Sequence, residues 1–322
     1  MGFLYSQFFV TPKVPKGSFA GQTVIITGSN VGLGKEAARH IAGLGVSKLI
    51  LACRNTTAAE EAKRDIVSTT KVDPATIEVW QLDLGSYDSV KDFARRASSL
   101  PRVDVLLENA GIATDKFQLM EGHESTITVN VISTFLLALL MLPKLKETSK
   151  KYNIQPRLII VSSEVHGWTK FAERNATNVF NELSNKSTAN MGERYPTSKL
   201  LEVLAVREIA PKLTGSGVVL NTLNPGFCHS SLSRNSEFPK AIIFWLMKTL
   251  LARTTEVGSR TLVASAEAGE ESHGKYMHDG KVGDEHLSPF VTSEEGKKTG
   301  EKVWGELKEI LEKIEPGVTG NL

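Results

Sequence analysis

The sequence predicts a single α/β domain built on a mostly parallel, doubly wound sheet of about seven strands. Short apolar runs rich in β-branched residues alternate with helical patterns through most of the 322 residues. Because parallel strands need crossover connections, this alternation places helices on both faces of one sheet. No Pro/Ser-rich linker divides the chain, and 41% of its residues are hydrophobic, enough for one large core.

Each predicted strand is a short apolar run that stops at a glycine, a proline or a polar residue. Ligands of parallel sheets bind beyond the carboxyl ends of the strands, so residues directly after these runs are the first candidates for a site. In chain order the predicted strands are Thr23–Thr27, Lys48–Arg54, Thr76–Leu84, Val103–Leu107, Arg157–Ser163, Gly217–Leu223 and a short one near Gly274–His278.

The intervening segments have helical periodicity and recognisable helix starts, such as a capping serine at Ser86. The run Phe135–Leu142 is apolar nearly all round and bounded by charge, which indicates a core or subunit-interface helix and no membrane span. The predicted helices are Gly32–Gly43, Thr57–Thr70, one from Ser86, His123–Thr148, Arg194–Leu213, Thr255–Ala268 and Thr292–Ile314, with a further apolar segment at Ala241–Leu251.

A glycine-rich turn, Thr27–Gly34, joins the first predicted strand to the first predicted helix. Its backbone N–H groups lie at the positive end of the helix dipole, where a phosphate binds favourably. Glycines at positions 28, 32 and 34 let a pyrophosphate approach the backbone. The turn therefore predicts a nucleotide phosphate site, although a simple tight connection gives the same pattern.

Charge and cysteine content exclude several classes of protein. The formal net charge is +2 and no long basic run is present, which argues against nucleic acid as a partner. Cys53 and Cys228 lie far apart and without metal-ligand spacing. We therefore expect no metal site, no disulfide and a reduced, cytoplasmic location.

The N-terminus, Met1–Val10, is apolar but has neither the basic leader nor the cleavage site of a signal peptide. We expect residues 1–20 to form an arm packed on the domain or on a partner subunit. Gly2 and Ser6 also fit a myristoylation pattern. The rest of the chain is expected to form a catalytic domain at 21–290 and a C-terminal helix and tail at 291–322.

Tyr195 and Lys199 lie four residues apart in a predicted helix and so share one face. The ammonium group favours the phenolate and lowers the tyrosine pKa, which makes the phenol a usable acid or base near neutral pH. Ser163 ends a predicted strand and can donate a hydrogen bond to a substrate carbonyl oxygen. Successive strand side chains point to opposite faces, so either Ser163 or its rival Ser162 faces the site. Alternatively, Tyr195 and Lys199 form a surface pair, and the two serines only end the strand, so that none of these residues has a catalytic role.

Together these motifs resemble the short-chain dehydrogenase/reductase family, which implies a Rossmann-type three-layer sandwich. Within the family, the chain is most similar to the retinol-dehydrogenase-like branch and to fungal secondary-metabolite reductases. This similarity lies in the sequence motif around Glu108–Gly111, in the lengthened segment between Ser163 and Tyr195 and in the N-terminal residues. The family's glycine pattern, Asn-Ala-Gly, helix asparagine, serine, Tyr-x-x-x-Lys and Pro-Gly turn appear in order as Thr27, Gly28, Gly32, Gly34, Asn109, Ala110, Gly111, Asn130, Ser163, Tyr195, Lys199, Pro225 and Gly226.

The resemblance implies a role for each of these residues. Tyr195 is the expected general acid in reduction, and Ser163 orients and polarises the carbonyl. Lys199 lowers the tyrosine pKa and binds the nicotinamide ribose, while Asn130 holds a water that relays protons to Lys199. The residues expected to bind the cofactor are Gly28, Ser29, Asn30, Gly32, Leu33, Gly34, Arg54, Asp83, Leu84, Asn109, Ala110, Gly111, Tyr195, Lys199, Pro225, Gly226, Phe227 and Ser230.

Two positions depart from the family's usual residues. Glu108 stands where a second asparagine is common, and Ser230 stands where threonine usually meets the carboxamide. Neither change removes a group that the chemistry requires.

The residues after the second predicted strand indicate NADP(H) as the cofactor. NAD sites place a carboxylate there for the ribose 2′-hydroxyl, whereas this chain has Cys53-Arg54-Asn55. Arg54 can pair with a 2′-phosphate, assisted by Lys35 or Asn30, in a contact worth ~1.5–3 kcal/mol. Alternatively, the Arg54 side chain is solvated and the protein discriminates little between NADP(H) and NAD(H).

The stretch at about 227–252 is expected to form a lid over the substrate. Its aromatic and aliphatic side chains suit a bulky apolar carbonyl or alcohol, although the same surface could rest on a membrane. The apolar residues of this stretch are Phe227, Phe238, Ile242, Ile243, Phe244, Trp245 and Leu246.

The leading hypothesis is an NADPH-dependent reductase of hydrophobic ketones or aldehydes, a monomer or a homodimer. A redox-neutral isomerase, cyclase or dehydratase could use the same acid and base. A non-catalytic NADP-binding sensor is a third hypothesis, but it predicts loss of the Tyr195–Lys199 pair, which is intact.

Overall fold

A computed structural model describes residues 3–229 and 252–322 of the chain. The strands of its central sheet are β1 Thr23–Thr27, β2 Lys48–Cys53, β3 Ile77–Gln81, β4 Val105–Glu108, β7 Arg157–Val161, β8 Val219–Asn224, β9 Tyr276–His278 and β10 Lys281–Val282, with a separate hairpin of β5 Leu119–Met120 and β6 His123–Glu124. The eight strands of the sheet lie in the order β10-β9-β8-β7-β4-β1-β2-β3, and each neighbouring pair is parallel except β9 with β10.

Helices cover both faces of this sheet. Directly before the long helix Thr134–Tyr152, the chain is wound more loosely, as a π-helix over Thr128–Ser133. In the described part of the chain the helices are α1 Phe3–Phe9, α2 Gly32–Gly43, α3 Thr56–Thr70, α4 Tyr87–Ser98, α5 Ser125–Ile127, α6 Thr134–Tyr152, α7 Val179–Leu183, α8 Met191–Leu213, α9 Thr255–Glu267, α10 Pro289–Thr292 and α11 Glu294–Ile314.

The core has two halves because successive strand residues point to opposite faces. Ile25 and Leu106 pack on the side that carries α4, α6, α8 and α11. Ile26 and Leu107, one position further along, pack on the side that carries α2, α3 and α9. The three-layer α/β sandwich with a doubly wound parallel sheet that the sequence predicts is thereby confirmed.

The segment Ser125–Tyr152 has a mean hydropathy of 2.0 in its most apolar window and is long enough to cross a membrane. That window is, however, 94% buried inside the protein. Phe135 and Leu136 contribute to the core from this helix. The segment is therefore a core helix, as its all-round apolar pattern predicts.

Two details differ from the sequence-based expectation. Helix α8 begins at Met191 and not at the predicted Arg194. The predicted start would place Pro196 in the first turn, where its missing N–H costs nothing, whereas the observed start places it inside the helix. The antiparallel strand β10 follows β9 after a tight turn in which Asp279 and Gly280 both have positive φ. The expected lid residues 230–251 and Gly2 lie outside the described residues.

The N-terminal helix packs against the loop that follows β8. Gln7 donates from Nε2 to the Phe227 carbonyl at 2.7 Å, and the Phe227 N–H donates back to Gln7 Oε1 at 3.2 Å. Arg253 donates from Nη2 to the Ser6 carbonyl at 2.7 Å and pairs through Nη1 with Asp279 at 2.8 Å. We call this set of bonds the N-terminal contact.

Candidate active site

The glycine turn leaves an open, positively polarised end on helix α2. Gly28 and Gly32 have φ of +65° and +63°, and a Cβ at Gly32 would meet no atom within 4 Å. The N-cap residue, Val31, has no side-chain oxygen for the first N–H groups of α2. No acidic residue occupies the first turn of this helix. These features fit the pyrophosphate of a dinucleotide.

The end of β4 is bonded directly to this turn. Thr27 accepts at Oγ1 from the N–H groups of Asn109 and Ala110, at 3.0 and 2.9 Å. The Asn109 amide donates to the carbonyls of Thr27 and Gly28. A Cβ at Gly34 would lie 2.7 Å from the Gly28 carbonyl oxygen, so only glycine fits there. The structure thus brings the predicted Asn-Ala-Gly segment onto the predicted phosphate turn.

The two serines after β7 face different neighbours. Ser162 is buried and donates through Oγ to the Lys199 carbonyl at 2.9 Å. Ser163 is half-buried, its Oγ accepts from the Val165 N–H at 3.4 Å, and its side chain is close enough to Tyr195 to lower the pKa of the phenol. The structure therefore places Ser163 beside the phenol and Ser162 under helix α8.

Tyr195 and Lys199 lie together on α8, with the ammonium nitrogen 5.6 Å from the centre of the phenol ring. Desolvation raises the Tyr195 pKa, and the fields of Lys199 and the Ser163 hydroxyl lower it only in part. The expected fall of the tyrosine pKa is therefore wrong for the protein alone, because burial and the charge of Glu202 outweigh Lys199. Lys199 also donates to the Val161 carbonyl at 2.9 Å.

Asn130 is fully buried in the π-helical turn and ties the loop after β4 to α8. Its Oδ1 accepts from the Ile112 N–H at 2.9 Å, and its Nδ2 donates to the Ile112 carbonyl and to Ser198 Oγ, both at 3.0 Å. A Cβ at Gly111 would lie 3.2 Å from Asn130 Oδ1 and 3.8 Å from Lys199 Nζ. Asn130 and Lys199 therefore border the same glycine. Ser198 was not singled out in the sequence, although it sits next to Lys199.

The side chains of two predicted cofactor residues, Ser29 and Leu84, point into the protein. Ser29 is buried and donates to the Ile26 carbonyl, and the Leu84 side chain packs in the core. Asp83 is half-buried and accepts from the Gly85 N–H at 2.9 Å. For Ser29 and Leu84, only the backbone is left to contact a ligand. Ser230 lies outside the described residues.

Other predicted cofactor residues lie at the open edge. Asn30 and Leu33 are partly exposed in the glycine turn, and Arg54 is exposed directly after β2. Within the described chain Arg54 forms no ion pair, whereas Lys35 pairs with Asp65 at 2.8 Å. Pro225, Gly226 and Phe227 follow β8 in the loop that the N-terminal contact holds.

Two buried carboxylates adjoin the site. Glu202 Oε1 lies 2.8 Å from Lys199 Nζ, and Glu108 ends β4 directly before Asn109. In the sequence, Glu108 stands out only because it replaces an asparagine that is common in the family. Glu202 could have been found from its position three residues after Lys199 on the same helix.

Comparison with known proteins agrees with this geometry. The family model of the short chain dehydrogenases matches residues 22–176. The chain is 52% identical to the short chain dehydrogenase/reductase dmxR8 of Cryptosporiopsis sp. over 328 aligned positions, covering 100% of both chains. It is 47% identical to the short-chain dehydrogenase anuD of Penicillium roqueforti, covering 99% of this chain and 84% of the relative.

A solved structure extends the comparison to the fold. A crystal structure of an uncharacterized protein from Mycobacterium paratuberculosis is 26% identical and superposes with a TM-score of 0.65, covering 92% of this chain and 95% of that one. The order of motifs, the sheet topology and the full-length relatives agree with one another. The chain belongs to the short-chain dehydrogenase/reductase family and is an oxidoreductase of that family.

Proposed function

We propose that this protein uses NADPH to reduce the carbonyl group of a bulky hydrophobic ketone or aldehyde, and that the reaction can run in reverse. The observation that carries the proposal is the meeting of Ser163, Tyr195 and Lys199 next to the glycine turn. A hydroxyl donor, a phenol and an ammonium group are what carbonyl reduction needs on the side of the protein.

The cofactor, when bound, supplies the hydride, and the side chains manage the proton. Tyr195 gives its phenol proton to the carbonyl oxygen, while Ser163 donates a hydrogen bond to the same oxygen. The Lys199 charge stabilises the phenolate that remains. Because the Tyr195 pKa is raised, the phenol stays protonated through neutral pH, and reduction slows only as the pH rises through that pKa.

We expect a hydrophobic substrate because apolar residues are expected to cover it at 227–252, and because the proposed chemistry needs no charged group on the substrate. An intermediate of secondary metabolism is one such molecule. The test is NADPH consumption, followed by absorbance, with a panel of hydrophobic ketones and aldehydes. Consumption that depends on the ketone supports the proposal. Conversion of a panel member without NADPH consumption would instead establish a redox-neutral reaction.

The choice of NADPH over NADH is expected to depend on Arg54. Its guanidinium is exposed after β2 and free to pair with a 2′-phosphate. Arg54→Ala should raise the Kd of NADPH about tenfold or more, since a charge-assisted contact is worth ~1.5–3 kcal/mol. The Kd of NADH should change little, because NADH lacks this phosphate. Both constants are measured by fluorescence titration.

Arg64→Ala is the matched control, since Arg64 is an exposed arginine of α3. It should leave both dissociation constants unchanged. Equal affinities of the Arg54→Ala variant and the unaltered protein for NADPH would refute the proposed role of Arg54.

A further inference from the structure

Helix α1 buries polar side chains and exposes apolar ones. Among residues 4–9 only Ser6 and Gln7 are buried, and they are 4% and 8% exposed. The aromatic side chains of Phe8 and Phe9 are 55% and 76% exposed. A helix that stabilises a domain by packing turns its apolar face to the core. Hydrogen bonds from its polar face, and not burial of these aromatic rings, therefore attach α1 to the domain.

Gln7 binds both backbone groups of one residue in the loop after β8. Its Nε2 donates to the Phe227 carbonyl at 2.7 Å, and its Oε1 accepts from the Phe227 N–H at 3.2 Å. The same carbonyl also accepts from the Arg253 N–H at 2.8 Å. A Cβ at Gly226 would lie 3.3 Å from Gln7 Oε1 and 2.8 Å from Arg253 Nη1. The side chains of Gln7 and Arg253 thus lie directly against this loop.

The Arg253 side chain holds α1 in place. Its Nη2 donates to the Ser6 and Val10 carbonyls, at 2.7 and 2.9 Å, and so caps the C-terminal end of the helix. Its Nη1 lies 2.8 Å from Asp279, whose second carboxylate oxygen accepts from the Ser6 hydroxyl at 2.7 Å. The Arg253 and Asp279 side chains are only 5% and 13% exposed. A buried ion pair therefore fixes the helix that carries Gln7.

The loop held in this way lies at the reacting end of the candidate site. Strand β8 pairs with β7, and the Ser162 N–H donates to the Leu223 carbonyl at 2.8 Å. Ser163 and the loop 225–227 therefore leave the sheet side by side. Arg54 follows β2, which lies four strands from β8 and hence about 19 Å from it. The loop is thus close to the catalytic serine and far from the expected site of the 2′-phosphate.

We propose that α1 positions the reacting half of the cofactor site, with Gln7 and Arg253 as its positioning residues. They hold the loop 225–227 where it contacts the nicotinamide half of the dinucleotide, and they act through that loop. The inference rests on the proposed function for the identity of the ligand. A loop released from α1 adopts other conformations, and the affinity for the dinucleotide falls with the fraction of molecules that keep the competent one.

The first experiment compares two ligands in the variant Gln7→Met, which keeps the length of the side chain and removes both hydrogen bonds to Phe227. NADPH contains both halves of the cofactor, whereas adenosine 2′,5′-bisphosphate contains only the half with the 2′-phosphate. We expect the Kd of NADPH to rise about five- to tenfold, as for the loss of one or two neutral hydrogen bonds. The Kd of the bisphosphate should stay within about twofold, because a ligand that does not contact the loop binds all its conformations equally. Isothermal titration calorimetry measures both constants.

Gln155→Met is the matched control. Gln155 is an exposed glutamine just before the amino end of β7, at the edge of the sheet opposite the site. Its replacement should leave both dissociation constants unchanged. An equal rise of the two constants in Gln7→Met would show a general structural role and overturn the proposal. An unchanged Kd of NADPH in that variant would overturn it as well.

The second experiment needs no ligand and follows amide hydrogen exchange of the free protein by NMR. The His229 N–H donates to the Arg253 carbonyl at 2.9 Å, and the Arg253 N–H donates to the Phe227 carbonyl. Neither amide loses its acceptor in Gln7→Met, so faster exchange there reports a loosened loop. We expect exchange about five- to tenfold faster at both amides and no change in strand β1.

The two experiments distinguish this inference from the proposed function. A selective loss of NADPH affinity in Gln7→Met, in a protein that reduces no carbonyl compound, would refute the proposed reaction and keep the positioning role of α1. Unchanged exchange at His229 and Arg253 would refute that role, even in an active reductase. A protein that binds neither ligand would refute NADPH as the cofactor and the nicotinamide contact together.

Discussion

Tyr195→Phe is expected to lower kcat for carbonyl reduction by about 10²–10⁴ and to leave the Kd of NADPH nearly unchanged. The substitution removes one oxygen atom, that of the phenol, whose pKa Lys199 and Ser163 lower. The ring itself remains, so helix α8 keeps its packing. Steady-state kinetics with the best ketone of the panel, together with a cofactor titration, measure both quantities.

Tyr152→Phe is the control for the loss of a phenol. Tyr152 lies at the far end of α6 and donates to the Pro101 carbonyl at 3.3 Å. Its replacement should leave kcat unchanged. If Tyr195→Phe retained kcat within about threefold of the unaltered protein, Tyr195 would not be the proton donor.

Arg194→Met is expected to lower the free energy of unfolding by about 3–5 kcal/mol. The Arg194 side chain is 0% exposed and lies 3.5 Å from Glu124 and 3.1 Å from Glu173. Glu124 is also fully buried, and its carboxylate caps the N–H groups of Thr126 and Ile127. Loss of the guanidinium leaves this carboxylate without its counter-charge. Urea unfolding measures the change.

Arg95→Met provides the comparison, because Arg95 pairs with Asp92 on the surface, where both side chains are mostly exposed. Its loss should cost at most about 1 kcal/mol. The double variant Arg194→Met/Glu124→Gln should recover part of the stability, since neither charge is then buried alone. Equal losses for Arg194→Met and Arg95→Met would show that the buried pair contributes little.

The fold could be predicted from local patterns because the parallel strands inside the sheet are short buried runs, and only the edge strand β3 is partly exposed. Strand β1 and helix α2 have the predicted bounds, and Ser86 caps α4 through its contact with the Ser89 N–H. The start of α8 was predicted three residues late, because Gly192 has a weak helical preference and the segment before it is polar. Tertiary packing of Arg194 against Glu124 supports this first turn.

For the candidate site, the sequence predicts which residues follow the strands, but not which way their side chains point. Which side chain faces which neighbour depends on tertiary contacts, as Ser29 and Leu84 show by pointing into the core. The Tyr195 pKa depends on burial and on Glu202, neither of which a Tyr-x-x-x-Lys spacing reveals. The burial of Tyr195 and Glu202 appears only when helix α8 is placed against the end of β7.

The N-terminal contact joins residues that lie 220 and 247 positions apart in the chain. Closing so long a loop costs conformational entropy that only an ordered sheet can offset. Helix α1 should therefore dock in a late step of folding and detach early in unfolding. A fluorescent label on α1 would follow that step separately from the collapse of the core.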